Sequence, residues 1–167
     1  MTNSSFFSIE AESGADAPLI EALLDKAFGA DRFAKSSYAL REGISPLTSL
    51  SLVLRHRGVL CGSIRFWPVR VDGCERVLLL GPLGVHHDYQ GHGGGQILME
   101  TGLARAKKQG YKLVFLVGDL AYYRRAGFLR VAGDLYMPGN PAPERLLFTE
   151  LVSGSLKKAT GAIKKYQ

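Results

Sequence analysis

The chain has 167 residues, 46% of them hydrophobic and 22% charged, which fits one soluble globular domain and excludes disorder along its whole length. A net charge of +6 favours anionic partners, whether nucleic acid, acidic lipid or a phosphorylated cofactor. The longest apolar runs, at 77–80 and 113–117, are far too short to span a bilayer, and the first ten residues lack a basic region followed by an apolar stretch, so a cytoplasmic protein is expected.

In chain order, residues 5–11 read as a short strand. Asp16 is placed to cap a helix over 17–28, with Pro18 tolerated in its first turn and Gly29 ending it. Ile20, Leu23, Leu24, Ala27 and Phe28 form its apolar stripe. A second short helix is expected over 32–42, closed by Gly43 and Pro46. Residues 50–55 and 59–71 read as paired strands around Arg57-Gly58, and Asp72-Gly73 turns the chain into a further strand over 76–85. Pro68 implies an edge or a bend, and Pro82 a bulge. A helix over 96–109 buries Met99, Leu103 and Ala106, and 112–117 is a buried strand. Strand, glycine-rich turn, helix and strand in succession imply a parallel pair. A helical turn near 120–125 follows, then strands near 128–136 and 145–152. Leu156, Ala159, Thr160 and Ile163 form one weak helical stripe in a basic tail over about 153–167. Its Lys157, Lys158, Lys164 and Lys165 are expected to be solvated. No aromatic residues interleave with those lysines and no nucleic-acid motif occurs, so nucleic acid is not an expected partner. Cys61 and Cys74 have neither metal spacing nor a disulfide framework, and are expected to be reduced thiols.

The most informative stretch is the turn between the 76–85 strand and the 96–109 helix. It holds four glycines within five residues: Gly91, Gly93, Gly94 and Gly95. Glycine lets the backbone turn tightly and approach a ligand. The first N–H groups of the helix have no internal partner and point together at the positive end of the helix dipole. Such a turn suits a phosphate group. The dinucleotide fingerprint G-x-G-x-x-G fails, because from Gly91 it reaches Gln96 where glycine is required, and no Gly-Lys pair supplies a P-loop.

The remaining pattern, Gln90-x-x-Gly93-x-Gly95 between a strand and a helix, resembles the signature of the GNAT superfamily of acyl-CoA-dependent N-acetyltransferases. The likeness covers about 78–128 and continues to Tyr123, four residues before the Gly127-Phe128 pair. The segments at 62–69, 80–95 and 118–128 resemble the bacterial YhbS-type branch. The resemblance implies an α+β fold: a mixed, mostly antiparallel sheet of six or seven strands, helices on both faces, and a central parallel pair splayed for acyl-CoA. It implies acetyl-CoA or another acyl-CoA as co-substrate, no metal, and a small-molecule or protein amine as acceptor. The pyrophosphate would lie on the amides of Gln90, Gly91, His92, Gly93, Gly94, Gly95 and Gln96. Pantetheine would run beside Leu83, Gly84 and Val85, with Asp119, Tyr122, Tyr123 and Arg125 completing the cofactor site.

In this family the amine attacks the thioester directly. That agrees with the absence of a G-x-S-x-G elbow. A backbone N–H near Gly84 or Val85 is the candidate oxyanion donor. Tyr123 matches the general acid for the departing thiolate, with Tyr122 as the alternative if the turn is rotated. The glutamate that some members carry on the central strand is replaced by Leu79, which leaves His86, Asp119, Glu42 and Glu150 as open candidates for a base. His86, His87 and His92 lack a supporting carboxylate set for a metal. Arg124 and Arg125 are either contacts to CoA phosphates or a solvated face. By resemblance, 29–47 forms the acceptor side. There Phe33 and Tyr38 are candidate apolar walls, and Arg32, Lys35 and Arg41 are either contacts to an acidic acceptor or, preferably, exposed charges on a short helix. An acyl-CoA-binding sensor without turnover is the rival to an enzyme.

Overall fold

The computed structural model describes residues 6–34 and 36–167. One sheet runs through it in the order β1 (Ser8–Ala11), β2 (Leu52–His56), β3 (Val59–Asp72), β4 (Cys74–Val85), β5 (Leu113–Val117), β7 (Leu146–Glu150) and β6 (Leu129–Arg130); β8 (Thr160–Lys165) pairs with β3. Only β4 and β5 pair in parallel among these strands. The helices are α1 (Ala17–Phe28), α2 (Ser36–Ala39), α3 (Gly94–Lys108), α4 (Leu120–Tyr123) and α5 (Ser155–Lys158).

The alternation of β-branched and aliphatic side chains along β3 and β4 divides the core between the two faces of the sheet. On one face Leu98, Met99, Leu103 and Ala106 of α3 pack against Leu54, Ile64, Phe66, Leu78 and Leu80. On the other, Ile20 and Leu24 of α1 cover Val53, while Leu40, Trp67, Leu79, Phe115 and Ile163 form a second cluster. The mixed sheet with helices on both faces is therefore as expected, with eight strands among the described residues in place of six or seven.

The additional strand is the tail. Residues 153–167 form no helical stripe and no solvated extension: α5 is a single turn, and β8 pairs Val69 with Lys165 and Asp72 with Thr160. Ile163 is 0% exposed. Residues 160–165 carry a period-2 burial that places Ile163 in the core, and β3 offers an edge to receive the strand. Lys157, Lys158 and Lys164 are exposed, with Lys164 reaching Asp72 at 3.4 Å, whereas Lys165 lies on the Ile163 side of β8 and is half-buried.

Other boundaries also shift. The expected helix at 32–42 is a 3-10 turn, Ala30–Ala34, followed by α2. The expected strand at 128–136 is only β6 plus an isolated bridge from Tyr136 to Ala162. Asp16 occupies the N-cap position of α1 as expected, but its side chain makes no capping bond there. Its carboxylate accepts from the Ser13 N–H and pairs with Arg55, and the Ser13 bond, foremost among these contacts, holds its pKa low. Pro68 sits where β3 has no neighbour on one side, between Ile64, the last residue paired with β2, and Val69, the first paired with β8. The bulge at Pro82 is present: β3 advances two residues, Ile64 to Phe66, while β4 advances three, Leu80 to Leu83. Among the described residues no helix is long and apolar enough to cross a membrane. Both cysteines are free, and burial pushes the Cys61 thiol up to about 11.

Candidate active site

The parallel pairing of β4 and β5 stops early. It joins Val77 to Leu113, Leu78 to Val114 and Leu79 to Phe115, after which β4 continues to Val85 paired with β3 alone. A cavity of about 970 Å³ fills the gap. Its floor is residues 80–85, one end is the glycine turn, and its walls come from α1, α2, α4 and the loop that carries Pro141, Ala142 and Arg145.

The free stretch of β4 offers its main chain to this cavity. The His86 N–H donates to the Cys61 carbonyl at 2.8 Å. Antiparallel alternation then commits Gly84 to β3 and turns the N–H and C=O groups of Leu83 and Val85 to the open side. In agreement, the Val85 carbonyl accepts from the Gln90 side chain at 3.3 Å. Of the two sequence-based oxyanion candidates, Gly84 has its N–H directed into the sheet.

The glycine turn enters α3 through Gly93, the residue before its first turn, at φ +78°. That backbone angle favours glycine, and the first residues of α3, Gly94, Gly95 and Gln96, whose N–H groups have no partner within the helix, border the cavity. Gly95 serves a close approach: a Cβ there would lie 2.0 Å from the Tyr122 hydroxyl.

The expected cofactor residues Leu83, Gly84, Val85, Gln90, Gly91, Gly93, Gly94, Gly95, Gln96, Asp119, Tyr122, Tyr123 and Arg125 all border the cavity. His92 does not, since its ring stacks on Phe6 at 4.2 Å. Arg124 also lies outside the lining, which separates it from Arg125. The three histidines do not assemble. His86 and His87 stack at 4.3 Å and Asp88 joins them, the three bringing ligand atoms within 4.8 Å of one another, while His92 is elsewhere.

The two tyrosines are distinguished by their surroundings. Tyr122 is partly exposed and lies over the first turn of α3. Tyr123 is wedged against Gly118, Tyr122 and Phe128, with ring centroids 5.0 Å from Tyr122 and 5.9 Å from Phe128. Burial pushes its hydroxyl up to about 12, against the pull of Arg145 and Arg41. It is therefore a neutral proton donor at any ordinary pH. Of the candidate bases, Asp119 alone borders the cavity, and its carboxylate accepts the Ala121 N–H at the start of α4. His86, Glu42 and Glu150 do not line it.

The acceptor side corrects the reading of exposed charges. Arg32 and Arg41 are 2% and 8% exposed, whereas Phe33 is 60% exposed and forms no wall. Arg32 is paired throughout, to Asp25 at 2.9 Å, to the Tyr38 hydroxyl at 3.2 Å and to Glu21. Burial works against its charge, but the Tyr38, Asp25 and Glu21 contacts hold its pKa above the ordinary value. Tyr38 and Arg41 border the cavity, and Lys35 lies outside the described residues. Sequence reasoning missed Ser37 and Arg145. Both reach the cavity from elements whose position depends on tertiary packing, and neither carries a local motif.

Comparison with known proteins agrees with this geometry. The acetyltransferase (GNAT) family model matches residues 18–128. The uncharacterized N-acetyltransferase YjhQ of Escherichia coli K12 is 34% identical over 140 residues, covering 82% of this chain and 76% of that one. The crystal structure of the E. coli GNAT family N-acetyltransferase YhbS in complex with CoA is 34% identical, with a TM-score of 0.80 over 96% of this chain and 89% of that chain. A Brucella melitensis GNAT family acetyltransferase in complex with acetyl-CoA is 27% identical, with a TM-score of 0.70 over 96% of each chain. With its sheet opened at one parallel pair and its family match spanning well over half its length, the chain belongs to the GNAT family of acetyltransferases.

Proposed function

We propose that residues 1–167 act as one acyl-CoA-dependent N-acyltransferase domain that moves the acetyl group of acetyl-CoA to an amine by direct attack. The observation that carries this reading is the open edge of β4 above Leu79, flanked by the glycine turn at one end and by Tyr123 on the wall. Two similar structures hold CoA and acetyl-CoA, which supports the same ligand here.

In this reading the pyrophosphate lies on the amides of 90–96, with Arg125 near it, and His92 contributes main chain only. Pantetheine runs along β4, pairing with the free groups of Val85. The Leu83 N–H, beside the bulge, donates to the thioester oxygen as negative charge develops there. The amine nitrogen bonds to the carbonyl carbon and the C–S bond breaks. The thiolate takes the Tyr123 proton, which solvent replaces, and the amine proton passes to solvent.

Release of CoA thiol from acetyl-CoA is measured against a broad amine panel, beside propionyl- and longer acyl-CoAs, with mass spectrometry of the products. The expected result is thiol release matched by acylated amine. Calorimetry is expected to show one acetyl-CoA site per chain. Binding without transfer to any amine overturns the enzyme in favour of a sensor, and absence of binding at millimolar acetyl-CoA overturns the whole reading.

A further inference from the structure

Arg41 is a buried cation with no anion beside it. Its Nε and Nη1 are fully enclosed and have no hydrogen-bond partner among the described residues. The guanidinium lies between the rings of Tyr38, 4.5 Å away, and Trp67, 5.7 Å away, and its Nη2 lies close over Gly81 on the cavity floor. The groups with most influence on its charge are Tyr38, whose hydroxyl supports it, Arg32, which opposes it, and Tyr123, and none of them is a carboxylate. Burial, the largest influence, draws its pKa down to about 10, so it remains charged at neutral pH at a cost to the fold. A buried charge is ordinarily paired. The neighbouring Arg32 shows what pairing looks like in this protein, since it takes up both Glu21 and Asp25.

Position tells which molecule supplies the missing anion. Gly81 lies four residues before Val85, about 13 Å along an extended strand. CoA phosphates on the glycine turn are therefore far from Arg41, and the guanidinium sits past the reactive end of the cofactor, where the acceptor enters. Leu80 and Pro82, which flank Gly81, give this end apolar walls. Arg145 also lines the cavity, and it is the unpaired charge of Arg41, without the nest of N–H groups that surrounds a phosphate, that matches the single charge of a carboxylate.

We propose that the acceptor is a small amine carrying a carboxylate, of the α-amino acid class, and that Arg41 receives that carboxylate on Nη2, the guanidinium nitrogen that is not enclosed, and so orients the amine toward the thioester. The proposal rests on the acyl-transfer reading above and adds a substrate class to it. An amine without the carboxylate leaves Arg41 unpaired, which is the kind of loss that lets a polar site reject an analogue strongly.

Trp67 is the chain's only tryptophan, and its indole N–H donates to the Gly81 carbonyl at 2.6 Å beside Arg41, so its fluorescence reports on this subsite. CoA-saturated protein is titrated with N-acetyl-alanine, N-acetyl-leucine and N-acetyl-phenylalanine, with the primary amide of each, and with inorganic phosphate. At least one carboxylate is expected to bind about tenfold or more tightly than its amide. Arg41→Gln is expected to abolish that preference with CoA affinity unchanged, and Arg41→Lys to recover part of it. The melting temperature of Arg41→Gln is expected to hold or rise, because an unpaired buried charge has been removed. In turnover, α-amino acids are expected to exceed the corresponding decarboxylated amines by a similar factor in kcat/KM, again only with Arg41 present. Carboxylate preference through Arg41 without any transfer would retain the subsite and sink the transfer reading. Transfer to plain amines as fast as to amino acids, unaltered in Arg41→Gln, would sink the subsite and retain transfer. A preference for phosphate, no response to any carboxylate, or a fall in melting temperature with discrimination intact would also overturn the proposal.

Discussion

The two ends of the cavity are built on different principles. The glycine-turn end is made of backbone: consecutive residues, an N–H array at the start of α3 and positive φ at Gly91 and Gly93. The far end is made of side chains from distant places, with Ser37, Tyr38 and Arg41 from the α2 segment, Gly81 from the bulge of β4 and Arg145 from the loop before β7. A backbone site keeps one ligand geometry as long as its glycines remain. A side-chain site is remade by any substitution, which allows members of one family to share a cofactor and differ in acceptor.

The largest expected effect tests the backbone end. Gly93→Val places a β-branched residue at φ +78°. A side chain in that region costs about 1–3 kcal/mol of strain. A Cβ at Gly93 meets nothing within 4 Å, so packing is spared. Calorimetry is expected to show acetyl-CoA affinity falling beyond detection while circular dichroism stays native. Retained affinity would mean that the turn does not carry the cofactor.

Next in size is the wall between the two ends. Tyr123→Phe is expected to lower kcat by about tenfold to a hundredfold with acetyl-CoA affinity nearly unchanged, the low end for a positioned acid because a thiol is already a fair leaving group. Tyr122→Phe is expected to do much less, since its hydroxyl lies over Gly95 beside the cofactor end. Full activity in Tyr123→Phe with a large loss in Tyr122→Phe would exchange the two roles.

The far end rests on the tail, because Ile163 belongs to the cluster that holds Leu40 and Trp67. Ile163→Ala is expected to cost about 2–5 kcal/mol by thermal unfolding, while acetyl-CoA affinity of the folded protein is unchanged. Neutralising Lys157, Lys158 and Lys164 is expected to shift stability by no more than about 0.5 kcal/mol each, since all three are exposed. A large loss from the lysines and none from Ile163 would return the tail to a charged appendage.

The smallest effect is an expected absence. With the Tyr123 hydroxyl held up at about 12, its protonated form persists throughout the assayable range and is lost only as pH passes that value. The kcat profile is therefore expected to show no falling limb up to about pH 10. A falling limb near pH 8 would have to come from another group, and Tyr123→Phe would leave it in place.

The sequence alone determined whatever depends on neighbours along the chain. The Asp72-Gly73 hairpin follows from a two-residue turn signal, the α1 stripe from helical spacing, the entry to α3 from four clustered glycines, and the bulge from the missing N–H of Pro82. Each is a property of a few successive residues whose backbone preference is strong. Tertiary structure decided the rest. Residues 160–165 spaced their apolar side chains compatibly with a helix, and the free edge of β3 made them a strand, because a ladder of hydrogen bonds and a buried Ile163 outweigh a weak local preference. Arg32 and Arg41 carry the same side chain nine residues apart. Only the arrival of Glu21 and Asp25 from α1 beside one, and of two aromatic rings and no carboxylate beside the other, makes the first a structural ion pair and leaves the second with an unanswered charge facing the cavity. Burial and electrostatic pairing are sums over residues remote in the chain, and no pattern in the α2 segment encodes them.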